Sequence, residues 1–277
     1  MSETINKSAL VPQKAEGALR LVSNNILQQT INNSEARLLG LLKAFACYDA
    51  DVYTLQEVDV PWREERHISE EMEKIGYSLA TTTDRVHTPI YYKTERYSLI
   101  DCGFSGYDLA GLAEQSVRAY SWACLEDKES GKRFVVTNTH LISVGNGMSD
   151  EAKENRELHR QACARQLPVV VKKLCERFGG VPALSAGDFN SYCITKPYEI
   201  LAEGLCSARE LCPSRVNMEY KTSCAVNKAP NKEPGMAIDH VFYTDFGITP
   251  IHYEAFIEEF SYSYSDHVPV FFDFYLD

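Results

Sequence analysis

Short apolar runs alternate along the chain with polar loops rich in acids, and helical periodicity takes over in a few places. Residues 19–26 (LRLVSNNI) read as a buried strand. A helix follows: Leu38, Leu41, Leu42 and Phe45 recur at i, i+3, i+4 and i+7, and Asn33 or Ser34 can cap its first turn. Residues 51–58 (DVYTLQEV) predict a strand that ends on a carboxylate, and 62–75 a polar helix. Strands are predicted at 77–82, 89–93, 97–103, 116–126 and 132–141. The span 149–178 is a long helix with Leu158, Cys163, Leu167, Val171 and Leu174 as its apolar stripe and Pro168 expected to kink or split it. A second strand (181–190, VPALSAGDFN) and a helix at 195–203 precede an irregular surface segment, 204–236, which reads as a substrate loop. Strands at 237–244, 247–257 and 267–276 close the chain.

This order predicts a layered α/β body, two sheets packed face to face with helices outside. Residues 1–17 are polar and read as a loose arm; 18–277 form a single domain. LQEV and AGDFN each end a strand in acid, which hints at an internal two-fold relation.

Composition narrows the function. With 28 Lys and Arg against 39 Asp and Glu, the formal net charge is −11. Proteins that live on duplex DNA draw affinity from neutralised phosphates, so this balance argues against avid nucleic-acid binding while leaving a local basic cleft open. Nine cysteines, an odd number without a CxxC pair, read as reduced thiols and point to the cytoplasm. No apolar run is long enough to span a membrane, and the first residues lack the apolar core of a signal peptide.

The chemistry-bearing residues cluster where apolar runs end: Asn24-Asn25, Glu57, Asn138-Thr139-His140, Asp188-Phe189-Asn190, and Asp239 with Asp266-His267. Strand ends meet at one rim of a sheet, a common place for a site. A carboxylate such as Glu57 at the end of a buried strand either faces solvent or is compensated by a hard cation such as magnesium. Asp188 and Asn190 are either a common turn or an acid beside an amide donor. Asp266 and His267 are adjacent and point apart on a strand, so His267 needs a second acid, for which Asp239 is the candidate. His140 and Arg118 read either as surface residues or as phosphate contacts. His67, His87, His159 and His252 have no supporting context, and His240 is expected to face away from Asp239. GxSxG and GxxxxGK[ST] are absent, which argues against a nucleophile elbow and a P-loop.

In chain order, Asn25, LQEV (55–58), TNTHL (137–141), GDFN (187–190), IDH (238–240) and SDHVPV (265–270) resemble the endonuclease/exonuclease/phosphatase superfamily, the fold of pancreatic-type deoxyribonuclease, over residues 19–274. The resemblance implies a four-layered α/β/β/α sandwich with two mainly antiparallel sheets, and phosphoester hydrolysis with magnesium or manganese. It casts Glu57 as the main metal ligand, supported by Asn25 and Asp266. It casts His267, polarised by Asp239, as the group that activates water, and Asp188 as the one that orients the nucleophile or aids the leaving group. Asn190, His140 and Arg118 become phosphoryl contacts; Asp188 and Asn190 could instead serve a second metal. The expected substrate is a small-molecule or lipid phosphate ester acted on by a monomer. A nuclease is the second reading, and a non-enzymatic binding protein is disfavoured because every expected position is filled. Substrate choice falls to loops 104–116, 143–150 and 204–236. Trp62, Tyr91, Tyr92, Tyr107, Tyr192 and Tyr220 are open between pocket lining and core, and Tyr262 and Tyr264 adjoin the SDH motif.

Overall fold

The computed structural model describes residues 10–31, 34–81, 86–114, 116–145 and 147–277. The chain begins with β1 (Leu19–Asn25), α1 (Glu35–Tyr48) and β2 (Val52–Gln56). A π-helical turn (Pro61–Glu65), α2 (Ile68–Lys74), β3 (Tyr77–Ala80), β4 (Ile90–Lys93), β5 (Tyr97–Gly106) and β6 (Ala119–Asp127) follow. Next come β7 (Arg133–His140), α3 (Asp150–Arg177), β8 (Ala183–Asp188) and α4 (Lys196–Gly204). The remainder is β9 (Cys206–Ser207), α5 (Ala208–Leu211), β10 (Ser214–Val216), β11 (Asp239–Tyr243), β12 (Ile248–Ala255), α6 (Glu259–Tyr262) and β13 (Val270–Leu276).

Two sheets result, ordered β10-β12-β13-β1-β2-β4-β3 and β5-β6-β7-β8-β11-β9. Strand alternation decides what they bury. Odd residues of β1 (Leu19, Leu21) and even residues of β7 and β8 (Phe134, Val136, Leu184, Ala186) join Val241 and Phe272 in a core between the sheets. The opposite faces carry their own cores. Val22, Tyr53 and Phe271 pack on Leu38, Leu41, Leu42 and Phe45 of α1, while Val135, Ala183 and Phe242 pack on Cys163, Leu167, Val171 and Leu174 of α3 and Leu201 of α4. Three apolar layers separating helix, sheet, sheet and helix make the four-layered sandwich.

The two sheets share a plan. In each, a βαβ unit gives a central parallel pair, β1 with β2 through α1 and β7 with β8 through α3. Antiparallel partners flank both, β13 and β4 in one sheet, β6 and β11 in the other. The acid-ending strands β2 and β8 thus hold equivalent places.

Several expectations change. α3 runs unbroken through Pro168, whose ring lies over Gly204 of α4, where a β-carbon would come within 2.7 Å of it. Leu158 is exposed and leaves the apolar stripe to its C-terminal members. Ser34 precedes α1 without a side-chain capping bond, and Asn33 and Thr82 lie outside the described residues. The arm is docked over 11–14: Val11 is buried, the Pro12 carbonyl accepts from Arg20, and Lys14 pairs with Asp51 at 2.8 Å. Arg20 itself is buried in a two-pronged pair with Asp273. The segment 204–236 contains β9, α5 and β10, and Trp62, Tyr91 and Tyr107 are core residues. All nine cysteines are free. Among the described residues no helix is long and apolar enough to cross a membrane.

One glycine is forced by this architecture. Gly187 (φ +150°) lies in register with Thr139, and a β-carbon there would meet the Thr139 carbonyl oxygen at 2.0 Å. Gly187→Ala is expected to cost about 3 kcal/mol or more, because neither backbone can retreat without parting β7 from β8. Gly131→Ala, at an open turn with φ +69°, should cost only about 1 kcal/mol. Urea unfolding of the two variants makes the comparison; equal losses would show that the close approach at Gly187 is not limiting.

Candidate active site

The same strand alternation that builds the inter-sheet core ends in polar residues at one rim. On the inner faces, apolar positions give way to Asn25, Gln56, Asn138, His140, Asp188 and Asp239, all but His140 buried. Gln56 donates to Asn138 Oδ1 at 2.8 Å, and Asn138 donates to the Leu55 and Pro89 carbonyls, so the sheets are stitched together just below the rim.

Above this floor the charged groups converge. Asn25 Nδ2 donates to Glu57 Oε1 and across to Asp188 Oδ2, each at 3.0 Å, while its Oδ1 accepts from the Leu27 N–H. Asn25, expected to support a metal, here donates to two carboxylates from opposite sheets. Glu57 follows β2 with φ +62°, which turns its side chain to the rim, and its Oε2 accepts from the Gln28 N–H. Asp188 Oδ1 accepts from the Asn190 N–H, and Asn190 (φ +48°) donates its side-chain amide to the Leu141 carbonyl. The turn and the site are thus the same structure. His140 Nε2 stands 3.5 Å from Asp188 Oδ2 and 4.0 Å from Glu57 Oε1.

His267 Nδ1 is 2.8 Å from Asp239 Oδ2, and Nε2 faces Asp188 Oδ2 at 3.8 Å. The pairing expected from the sequence is present: His267 bonds to Asp239, not to its neighbour Asp266. Burial pushes the His267 imidazole down, but Asp239, Asp188 and Asp266 outweigh it and hold the ring well above its ordinary value. Asp266 is raised, first by burial and then by Glu57 and Asp188, against the pull of His267. Among the described residues, its buried Oδ1 has no hydrogen-bond partner, and neither has Asp239 Oδ1.

Among the described residues, a buried Asp266 oxygen without a partner, close to other carboxylates, is a donor set that fits a hard divalent cation. Asp188, Asp239 and His267 also bring ligand-type atoms within 4.8 Å of one another. Glu57 and Asp266 line the cleft beside them and interact electrostatically, so they can add oxygen ligands.

Glu57, His140, Asp188, Asn190, Asp266 and His267 line a cleft of about 580 Å³, together with Arg118, His87, Phe104 and Val117. Arg118 stands just before β6, and its Nε is buried without an acceptor. The structure adds residues that sequence reasoning passed over. His87 lines the cleft and is kept neutral by burial and by Arg63. Ser265 Oγ donates to the Asn25 carbonyl and accepts from the His267 N–H. Thr222 Oγ1 accepts from the Ile238 and Asp239 N–H groups, and Cys224 N–H bonds to the Asp266 carbonyl. Only Ser265, within the SDH motif, carried any signal.

His240 faces away from Asp239, as expected, and contacts Phe189, Tyr198 and Phe242. Its Nε2 bonds to the Ser191 carbonyl at 2.8 Å. Burial pushes the imidazole down to about 3 from an ordinary 6.5. Between those values the unfolded chain binds a proton that the native state refuses, so stability falls as pH falls through that window. Relative to His240→Gln, the wild type should lose about 1.4 kcal/mol more per pH unit below about pH 6. Urea unfolding at several pH values measures the difference; parallel slopes would mean His240 is protonated in the native state.

Comparison with known proteins agrees with this fold. By sequence, no curated protein matches the chain. Among solved structures, the fold is similar to an endonuclease/exonuclease/phosphatase family protein from Bacteroides thetaiotaomicron (TM-score 0.75, 21% identity, 96% of each chain). It is also similar to the mannosyl-6-phosphatase of that species (TM-score 0.71, 21% identity, 92% of this chain and 99% of that one). A third is TDP2 from D. rerio, complexed with single strand DNA product (TM-score 0.66, 20% identity, 93% and 98%). The sequence matches the Endonuclease/Exonuclease/phosphatase family over residues 23–267, nearly the whole rim and both sheets, and the chain belongs to that family of phosphoesterases.

Proposed function

We propose that the protein is a divalent-metal-dependent hydrolase of a small phosphate ester, in which His267, held by Asp239, takes the proton of the attacking water. The observation that carries this reading is the His267–Asp239 pair opening onto the same cleft as Glu57 and the orphaned oxygen of Asp266.

Glu57 and Asp266 would hold magnesium or manganese, with Asn25 fixing the Glu57 carboxylate. When bound, the cation neutralises phosphoryl charge as the ester is cleaved. Asp239 accepts from His267 Nδ1, which leaves Nε2 to receive a proton. Asp188, 3.8 Å from Nε2, orients the water. The water oxygen bonds to phosphorus as its proton passes to His267 Nε2, the ester P–O bond breaks, and the leaving alkoxide takes a proton from solvent, to which His267 then gives up the one it received. His140 and Asn190 meet the phosphoryl oxygens, and Arg118 adds a cation on the β6 side of the cleft.

The fold relatives include both a sugar phosphatase and a protein solved with DNA, so fold does not choose the substrate. Charge favours the small ester. At −11 overall, the chain is poorly suited to long nucleic acids, whose binding rests on several phosphate contacts.

The test is hydrolysis of bis(p-nitrophenyl) phosphate and p-nitrophenyl phosphate with magnesium, with manganese and with EDTA. Turnover should require the metal, and Glu57→Ala, Asp188→Ala and His267→Ala should each lower it by ~10² or more while remaining folded by circular dichroism. Undiminished turnover in His267→Ala would overturn the general-base role; failure of the wild type to bind any divalent metal would overturn the enzyme reading.

A further inference from the structure

A second cleft of about 480 Å³ adjoins the first, and Asn190 lines both. Lys153, Glu154, Glu157 and Arg160 of α3 form one wall, and Tyr192 and Ile238 stand among the other lining residues. The reaction described above uses none of these six. We propose that this cleft receives the alcohol portion of the substrate and that it takes a neutral, hydroxylated ring, which makes the substrate a sugar phosphate. This rests on the phosphoesterase reading and deepens it.

Position comes first. Asn190, one of the two proposed phosphoryl contacts, lines both clefts, so an ester oxygen directed past it would place its alcohol in the second.

Charge comes next. The lining carries two carboxylates and two cations, and Arg160 is paired with Glu157 while Lys153 is paired with the exposed Asp150. Among the described residues, both cations of the lining are paired, and Glu154 would repel a second phosphate. The catalytic cleft differs: among the described residues, the Arg118 side chain there has no hydrogen bond or ion pair.

Shape and donors complete the case. Tyr192 is 38% exposed, an aromatic face beside two carboxylates. A pyranose or furanose ring offers an apolar C–H face to such a ring and hydroxyls to the acids around it. Arg160 is nearly buried and paired with Glu157, while the exposed Glu154 carboxylate can accept from a ring hydroxyl. A cleft that combines one exposed aromatic with convergent donors and acceptors suits a polyol better than an alkyl chain, which would leave those polar groups unpaired.

The experiment compares a hexose 6-phosphate with a nucleoside 5′-monophosphate, each as the monoester and as its p-nitrophenyl diester, against p-nitrophenyl phosphate, with magnesium present. The wild type should prefer the hexose ester by ~10-fold in kcat/KM. Tyr192→Ala should raise KM for the hexose ester by ~10-fold more than for p-nitrophenyl phosphate, with kcat little moved, and Tyr192→Phe should restore KM. Preference for the nucleoside ester, or an equal KM rise on every ester, would overturn the sugar subsite while leaving the phosphoesterase intact. No metal-dependent turnover on any ester, p-nitrophenyl phosphate included, would overturn the phosphoesterase reading and the subsite with it.

Discussion

Two sheets that bury their inner faces against each other can admit polar groups between them only where the strands run out. At the rim this constraint is met by hydrogen bonds that cross the gap. The buried Asn25 amide joins Glu57 of one sheet to Asp188 of the other. Bonds to charged acceptors are worth roughly 1.5–3 kcal/mol each, and an unpaired buried carboxylate would cost more than that. Below it, Gln56 and Asn138 repeat the arrangement with neutral groups. The site is thus the polar end of the inter-sheet core, held at a spacing set by the apolar layer beneath.

The shared plan of the sheets explains why so few residues suffice. Each central βαβ unit ends two parallel strands at the same level, Asn25 beside Gln56 in one sheet and His140 beside Asp188 in the other. β11 runs antiparallel to β8 and places Asp239 next to Asp188 on the same face. His267 belongs to neither sheet. It is held from outside, by the bridge to Ser223, by Ser265, and by Asp239. The segment that carries Thr222 to Cys224 therefore anchors the imidazole and the two acids around it, although its sequence reads only as an irregular connection.

Surplus negative charge is the electrostatic consequence. The carboxylates around His267 raise its proton affinity, and Glu57 and Asp188 raise that of Asp266. In the proposed reaction a bound cation would relieve both and free the imidazole to act as a base.

The periods of the sequence determined the strands, the helices and the side each residue faces. Alternation alone separates Asp239 from His240 and aims Asp188 inward, and helical spacing fixes the buried face of α1. It also placed Asn25, Glu57, His140 and Asp188 at the rim, because each ends an apolar run. Tertiary structure decided what depends on distance between elements far apart in sequence. It made Asn25 a donor to two carboxylates and seated Pro168 over Gly204. It docked the arm through Val11 and Lys14, and set Tyr192 in a second cleft while Trp62 and Tyr107 went to the core. A residue's period reports which face it occupies; which partner waits there is fixed only when the sheets close.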